Sequence, residues 1–242
     1  ETMIKKNDNL IFGRNPVKEA LRSDRVLKVY LERGFSDRSV LDIIENKHIP
    51  VIYVDRKELD SVCDGVHQGL AADTKGYSYC SIEEILSKAK KETRPIVVLL
   101  DGINDPHNLG AILRSCDVFG VTGLIMAKHN QVMLNATVAK TSAGAINYVP
   151  VAVVSNLNNA IRELKEHGFW IVSSDGSGNT NYQEVKYDFP TALVVGSEGK
   201  GVSQLVLKNS DFIVKIPMHG KVNSLNASVA TGIFLAQIKG SL

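Results

Sequence analysis

IPMHGKVNSLNASVATGIFLAQI, residues 216–238, holds the change of element on which the rest of the chain hangs. It opens as the end of an apolar strand, turns through Met218-His219-Gly220-Lys221, and at Asn223-Ser224 enters an apolar helix with a polar first turn. Asn223 or Ser224 can cap the free amides of that turn. With Asn226 they place three short hydrogen-bonding side chains at the positive end of the helix dipole. Such an end can hold an anionic or hydroxyl-bearing ligand, although an ordinary cap on a core helix accounts for the same residues. Ser228, Gly232 and Ala236 recur every four residues and form a narrow small-residue face, which predicts close approach to another backbone.

Upstream of this stretch the pattern is α/β. IVVLLD, residues 96–101, is a continuous apolar run of buried parallel-strand type. Strand-like runs recur at 123–126, 151–154, 170–173, 192–195 and 212–216, separated by helical patterns at 109–119, 135–142, 157–167, 203–207 and 224–238. Residues 96–242 therefore read as an α/β domain with a mainly parallel sheet. Ahead of it, Asn15-Pro16 starts a helix over 16–22, followed by strands at 26–31, 51–54 and 70–74 and helices at 38–47 and 57–62. These make a second, small α/β domain over residues 1–75. Residues 76–95 read as a linker carrying a charged helix and closed by Thr93-Arg94-Pro95.

The composition, 44% hydrophobic and 22% charged, fits a chain with a sizeable core, and no apolar run approaches the length of a membrane span. Glu1-Thr2 ahead of Met3 reads as an addition to the natural start. Cys63, Cys80 and Cys116 are far apart, without metal spacing or a CxxC pair, so free thiols in a reducing cytoplasm are expected. The scattered histidines predict no metal site. A net charge of +2 does not announce a nucleic-acid partner, but its distribution is uneven. Lys5, Lys6, Arg14, Lys18, Arg22, Arg25, Lys28 and Arg33 crowd the first 33 residues, a basic face able to follow a phosphate backbone or to form a solvated surface.

Loops beyond the carboxyl ends of parallel strands are where ligands lie, and three are chemically loaded. In DGINDPHNLGAILR, residues 101–114, Asp105-Pro106 turns and Asn108 starts a helix on which Arg114 lies about 9 Å further along. Helical side chains lean toward the N-terminus, so Arg114 could converge with Asn108; a turn, a cap and a surface arginine read equally well. LVVGSEGKGVS, residues 193–203, approaches a phosphate loop but has Val202 where the lysine belongs and Glu198 inside the cradle, which excludes a nucleoside triphosphatase. Its glycines, Gly196, Gly199 and Gly201, also miss the dinucleotide spacing. They still allow close backbone approach, and Glu198 suits a cationic or hydroxyl-rich ligand. The third loop is the 216–226 stretch. Lys140-Thr141-Ser142-Ala143-Gly144 offers small residues that could border a pocket or end a helix.

Together and in this order, DPHNLGAILRS, VVGSEGKGVS and IPMHGKVNSLNASVATG resemble the three motifs of the SpoU family of RNA ribose 2'-O-methyltransferases. The catalytic domain of that family is tied in a trefoil knot. The resemblance spans essentially the whole chain, since FGRNPVKEAL resembles the substrate-binding domain of the bacterial branch acting on a guanosine of large-subunit (23S) ribosomal RNA. It implies a knotted fold, against the general rule on threading, S-adenosylmethionine as cofactor, a homodimer through the knotted domain, and a small N-terminal domain resembling ribosomal proteins. It implies cofactor contacts at Gly196, Ile216 and Leu225 with Thr141, Ser142 and Gly144 nearby, and a catalytic set of Asn108, Arg114, Glu198, Ser224 and Asn226. Arg14, Asn15, Lys18 and Arg22 are the candidate RNA contacts. A transfer-RNA substrate, or a non-catalytic RNA-binding or ribosome-assembly protein, are the alternatives.

Overall fold

The apolar runs of the sequence become the strands of two sheets, in a computed structural model that describes residues 4–7 and 9–240. The expectation for Glu1-Thr2 lies outside the described residues. The chain divides into two units, Glu1–Tyr77 and Ser78–Leu242.

The first unit runs β1 (Leu10–Phe12), α1 (Arg14–Arg22), β2 (Val26–Glu32), α2 (Arg38–Asn46), β3 (Val51–Val54), α3 (Arg56–Val62) and β4 (Leu70–Thr74). Its sheet has the order β1-β4-β2-β3, with β4 antiparallel to both neighbours and β2 parallel to β3. Two-residue alternation splits the core between the faces. Val29, Leu31, Leu70 and Ala72 pack with Val17, Leu21, Val40 and Ile44 of α1 and α2. Tyr30 and Ala71 turn the other way, onto Leu59 and Val62 of α3. Helix α1 begins two residues before the expected Pro16. Gly13 is its N-cap, at φ +90°, so Asn15 and Pro16 lie inside the first turn rather than capping it.

The second unit carries α4 (Ile82–Ala89), β5 (Ile96–Asp101), α5 (Pro106–Val118), β6 (Gly123–Ala127), α6 (Ala136–Thr141), β7 (Val151–Val154), α7 (Leu157–Glu166), β8 (Trp170–Ser174), β9 (Thr180–Asn181), β10 (Thr191–Gly196), α8 (Gln204–Lys208), β11 (Phe212–Lys215) and α9 (Ala227–Gly240). Its seven strands are ordered β7-β6-β5-β10-β8-β11-β9, and every neighbouring pair is parallel. On one face Val97, Leu99, Ile171, Ala192 and Val194 meet α4, α7 and α8. By alternation Val98, Leu100, Leu193 and Val195, all buried, face the other side, where α5 and α9 pack together. The chain moves outward from β5 to β7 and then returns to build on the other side of β5, so a topological switch point falls between β5 and β10.

Residues expected to form a linker are built into this second unit from Ser78 onward. The Cys80 amide donates to the Val151 carbonyl (2.8 Å), and Ile85, Leu86 and Ala89 of α4 enter the core. Gly123 makes room for them: a Cβ there would lie 2.8 Å from the Ile85 side chain. Helix α9 starts at Ala227, three residues later than expected, for a reason that lies in the site. Among the described residues no helix is long and apolar enough to cross a membrane.

Candidate active site

Strand β10 lies between β5 and β8 in parallel register, with Gly196 opposite Asp101 and Val195 opposite Ser174. The carboxyl ends of all three strands therefore stand in one row. The glycine-rich loop leaving β10 is clamped from both sides. Asp101 Oδ2 accepts the Ser203 amide (2.8 Å), and Asp175 Oδ2 accepts the Val202 amide (3.2 Å). The Gly201 amide closes the loop onto the Ser197 carbonyl (2.9 Å). The glycines have steric reasons: a Cβ on Gly196 would sit 2.1 Å from the Gly201 carbonyl carbon, and one on Gly201, at φ +65°, would meet the Asp175 carboxylate at 2.5 Å. Burial pushes the Asp175 carboxyl up, but hydrogen bonds from Ser177 and Val202 outweigh it and hold the acid below its ordinary range.

That clamp presents Glu198, and the three motif loops meet on its Oε1. Asn108 Nδ2 donates to it from the first turn of α5 (3.1 Å), Asn226 Nδ2 from the end of the 216–226 loop (2.6 Å), and the Ala227 amide from the start of α9 (3.2 Å). Asn226 Nδ2 also donates to Asn108 Oδ1 (2.8 Å). Its own Oδ1 accepts the Ser228 amide (3.0 Å), the Ser228 hydroxyl (2.5 Å) and the Val229 amide (3.3 Å). Asn226 is thus the N-cap of α9. The expectation that Asn223 or Ser224 caps this helix is corrected: the residue that also reaches Glu198 fixes the start, leaving residues 216–226 as loop.

Beside Glu198 opens a cavity of about 780 Å³, lined by the ends of β8, β10 and β11, by both loops and by one face of α9. Gly196, Glu198, Ile216, Ser224 and Leu225 line it, as do Asp175, Gly176 and Phe234. Asn108 and Asn226 adjoin it through Glu198. Arg114 is not brought there; it stays exposed on α5 with no hydrogen bond or ion pair among the described residues. Thr141, Ser142 and Gly144 do not line the cavity either. The Thr141 hydroxyl is held by the Thr137 carbonyl (2.9 Å), the Ser142 hydroxyl by that of Ala139 (2.9 Å), and Gly144, at φ +93°, ends the segment beyond α6. Sequence reasoning missed Asp175 and Phe234. An acid at a strand end was the available signal for Asp175; nothing local marked Phe234.

In the first unit Arg14 opens α1, its amide donating to Gln68 Oε1 (3.0 Å) and its guanidinium 3.4 Å from Asp37 and over the Phe35 ring (5.7 Å). Lys18 approaches the same carboxylate (3.8 Å), and Asn15 is exposed. The Ser39 hydroxyl foremost, then Lys18 and Arg14, hold the Asp37 acid below its usual range. Arg22 sits in the last turn of α1, eight residues and about 12 Å along the axis from Arg14. Among the described residues no cluster of three or more metal-ligating side chains occurs.

The fold is shared with solved methyltransferases. The SpoU methyltransferase AviRb from Streptomyces viridochromogenes, crystallised with AdoMet, superposes with a TM-score of 0.72 over 96% of this chain and 89% of its own, at 22% identity. An AdoMet-bound rRNA methyltransferase from Sinorhizobium meliloti gives 0.72 over 96% and 87%, also at 22% identity. At these identities the likeness is one of fold. The chain belongs to the SpoU rRNA methylase family, whose model matches residues 95–236, and it is an RNA 2'-O-ribose methyltransferase; the substrate-binding model of such enzymes matches residues 10–80. A protein of Staphylococcus haemolyticus assigned to the TrmH family of tRNA/rRNA methyltransferases is 43% identical over 96% of this chain and 95% of its own. YacO of Bacillus subtilis, assigned to the same family, is 40% identical over 94% of each.

Proposed function

We propose that this chain transfers a methyl group from S-adenosylmethionine to the ribose 2'-hydroxyl of a guanosine in large-subunit (23S) ribosomal RNA, in the cytoplasm and as a homodimer through the second unit. The observation that carries the reading is the convergence of Asn108, Glu198 and Asn226 on one carboxylate oxygen beside a cavity of about 780 Å³. The cavity has the size of a cofactor site, and its lining fits this one. Val195, Ile216, Leu225 and Phe234 offer apolar wall for an adenine, and Glu198 and Asp175 offer acceptors to hydroxyl groups and to positive charge. The cofactor supplies an already activated sulfonium methyl, so the protein's task is alignment and removal of one hydroxyl proton.

Each residue then has a part. Glu198 fixes the two asparagine amides and the start of α9, so the 216–226 loop closes against the cavity instead of moving freely. Ser224 and Asn226 shape the pocket for the ribose. Gly196, Ile216 and Leu225 belong to the cofactor's walls, with Thr141, Ser142 and Gly144 acting at one remove by seating α6. Arg114, always protonated, binds the phosphate next to the target ribose and steadies negative charge growing on its oxygen. Exposed Val118 on α5 and Val229 on α9 supply apolar surface for the dimer. The trefoil crossing belongs to the same proposal, supported by the insertion of β10 between β5 and β8. Free thiols at Cys63, Cys80 and Cys116 suit a reducing compartment.

Support for ribosomal RNA comes from the family model matched over residues 95–236, which is described as that of rRNA methylases. A transfer-RNA substrate is the second reading, favoured by an Aquifex neighbour described as a TrmH/SpoU tRNA modifying enzyme, 34% identical over 66% of this chain with a TM-score of 0.57. Purified protein incubated with labelled methyl donor and, separately, unmethylated large-subunit ribosomal RNA or bulk transfer RNA decides between them. Label on one ribose of the ribosomal RNA is expected; label on transfer RNA alone would overturn the substrate and keep the chemistry.

A further inference from the structure

We propose that the RNA-docking face of the first unit is the loop-bearing edge of its sheet, with Arg33 and Arg56 joining Arg14 and Lys18 as the cations that bind backbone phosphate. The inference rests on the reading of the chain as an enzyme that acts on RNA. It adds Arg56, which the sequence did not single out, narrows the basic stretch of the first 33 residues to Arg14, Lys18 and Arg33, and removes Arg22.

Strand registers define the edge. Phe12 of β1 lies opposite Ala71, Leu31 of β2 opposite Leu70, and Glu32 opposite Val54 of β3. The amides of Gly13, Glu32 and Arg33 reach the carbonyls of Leu70, Gly69 and Val54 at 2.9, 2.9 and 3.2 Å. The exits of β1, β2 and β3 and the entry of β4 therefore stand side by side. In sheet order the edge carries Arg14, the 64–69 loop, Arg33 and Arg56. At about 4.8 Å per strand this is a row of roughly 14 Å, long enough to follow a strand of nucleic acid rather than a point charge.

The cations of the two edges differ in how they are held. On this edge Arg14, Arg33 and Arg56 have side chains 48, 71 and 69% exposed and lie 3.4, 3.4 and 3.8 Å from Asp37, Asp55 and Glu32. Such long pairs, with the guanidinium open to solvent, contribute little and exchange readily for phosphate. At the opposite edge Arg25 and Lys47 are committed. Arg25 donates to the Tyr77 hydroxyl (2.6 Å) and stacks on its ring at 3.7 Å, and Lys47 donates to the Leu21 carbonyl and to Asp24, both at 2.6 Å. Arg22 lies at that end. The loop between the releasable cations is rigid: buried His67 accepts the Gly69 amide on Nδ1 (3.0 Å) and binds Asp60 through Nε2 (2.9 Å), while Gln68 holds the Arg14 amide. Its tip, Val66, is 82% exposed and offers an apolar contact to a base.

The test is filter binding of an unmethylated large-subunit ribosomal RNA transcript across a range of KCl concentrations. The Arg33→Ala/Arg56→Ala double variant should bind about tenfold more weakly, with a salt slope shallower by about 1 to 2, while its cofactor affinity and circular dichroism match the unmodified chain. Asp55→Asn, which preserves the helix cap and frees Arg33, should bind more tightly. Lys75→Ala, at the opposite edge, should leave affinity unchanged. Wild-type affinity and slope in the double variant, or an equal loss in Lys75→Ala, would overturn the inference and leave the proposed reaction standing. No binding by the unmodified chain would overturn that reaction, and this face with it.

Discussion

Glu198 Oε1 accepts from three elements at once, and that concentration makes its variants informative. Glu198→Ala removes the acceptor from two amides and one backbone N–H. Turnover in a single-turnover transfer assay should fall by about 10²-fold or more, against a stability loss of about 1–2 kcal/mol in urea unfolding. Asn226→Asp separates the two roles of its side chain. The cap on α9 survives, because aspartate accepts from Ser228 and Val229 as well as asparagine does, but a carboxylate now faces Glu198 at a contact of 2.6 Å. A folded protein with cofactor or transfer activity largely lost is the expected outcome; full activity would remove Asn226 from the site. The types of these residues were legible in the sequence through the three motifs. Their meeting was not, because Asn108 and Glu198 are 90 positions apart and no periodicity reports a contact of that range. Arg114 is a different case: helix direction suggested convergence with Asn108, and within this chain it is exposed on α5 and does not line the cavity, open to the RNA phosphate that the proposed reaction assigns to it.

At the scale of elements, glycines decide how closely neighbours approach. Gly110 on α5 faces α6 so tightly that a Cβ would lie 1.8 Å from Thr141 Oγ1 and 2.9 Å from the Val138 carbonyl. Gly110→Ala should therefore force the helices apart and cost about 1–3 kcal/mol in urea unfolding. Gly196→Ala meets backbone in the clamped loop, and isothermal titration should show cofactor binding lost while the sheet, read by far-ultraviolet circular dichroism, persists. The clamp also titrates. The Asp175 acid is depressed in the folded state, so its contribution is full above the unfolded value near 3.9 and lost as pH falls through the lower folded value. Urea midpoints of the native protein and Asp175→Asn should differ at pH 6, and the difference should start to shrink at about pH 4 and close only as pH falls past the lower folded value. Long apolar strands were read well because burial on both faces writes them as continuous runs. β1 and β9 escaped, being three and two residues long and defined by pairing with β4 and β11 rather than by their own composition. Gly232 of the small-residue face packs near Ser115 of α5 at ordinary contact distance, while Ala236 is exposed, so that stripe is not consumed within the chain.

For the whole molecule, the division at Tyr77 and Ser78 has a direct consequence. Because α4 contributes Ile85 and Leu86 to the core of the second unit, a chain beginning at Ser78 should fold and bind cofactor as the full chain does, whereas one beginning at Ile96 should lose stability. RNA affinity should drop in the Ser78 chain, by filter binding, since the first unit is then absent. The boundary was misplaced from sequence because a charged helix between two domains reads as a linker until its apolar stripe is seen to be buried. Ribose chemistry at the Glu198 site is the central requirement of the proposed function. The most direct measurement is digestion of the methylated RNA to nucleosides followed by mass spectrometry, with native protein and Glu198→Ala compared. A 2'-O-methylguanosine formed by the native chain and nearly absent with the variant is the predicted result; a base-methylated nucleoside, or equal product from both proteins, would contradict it.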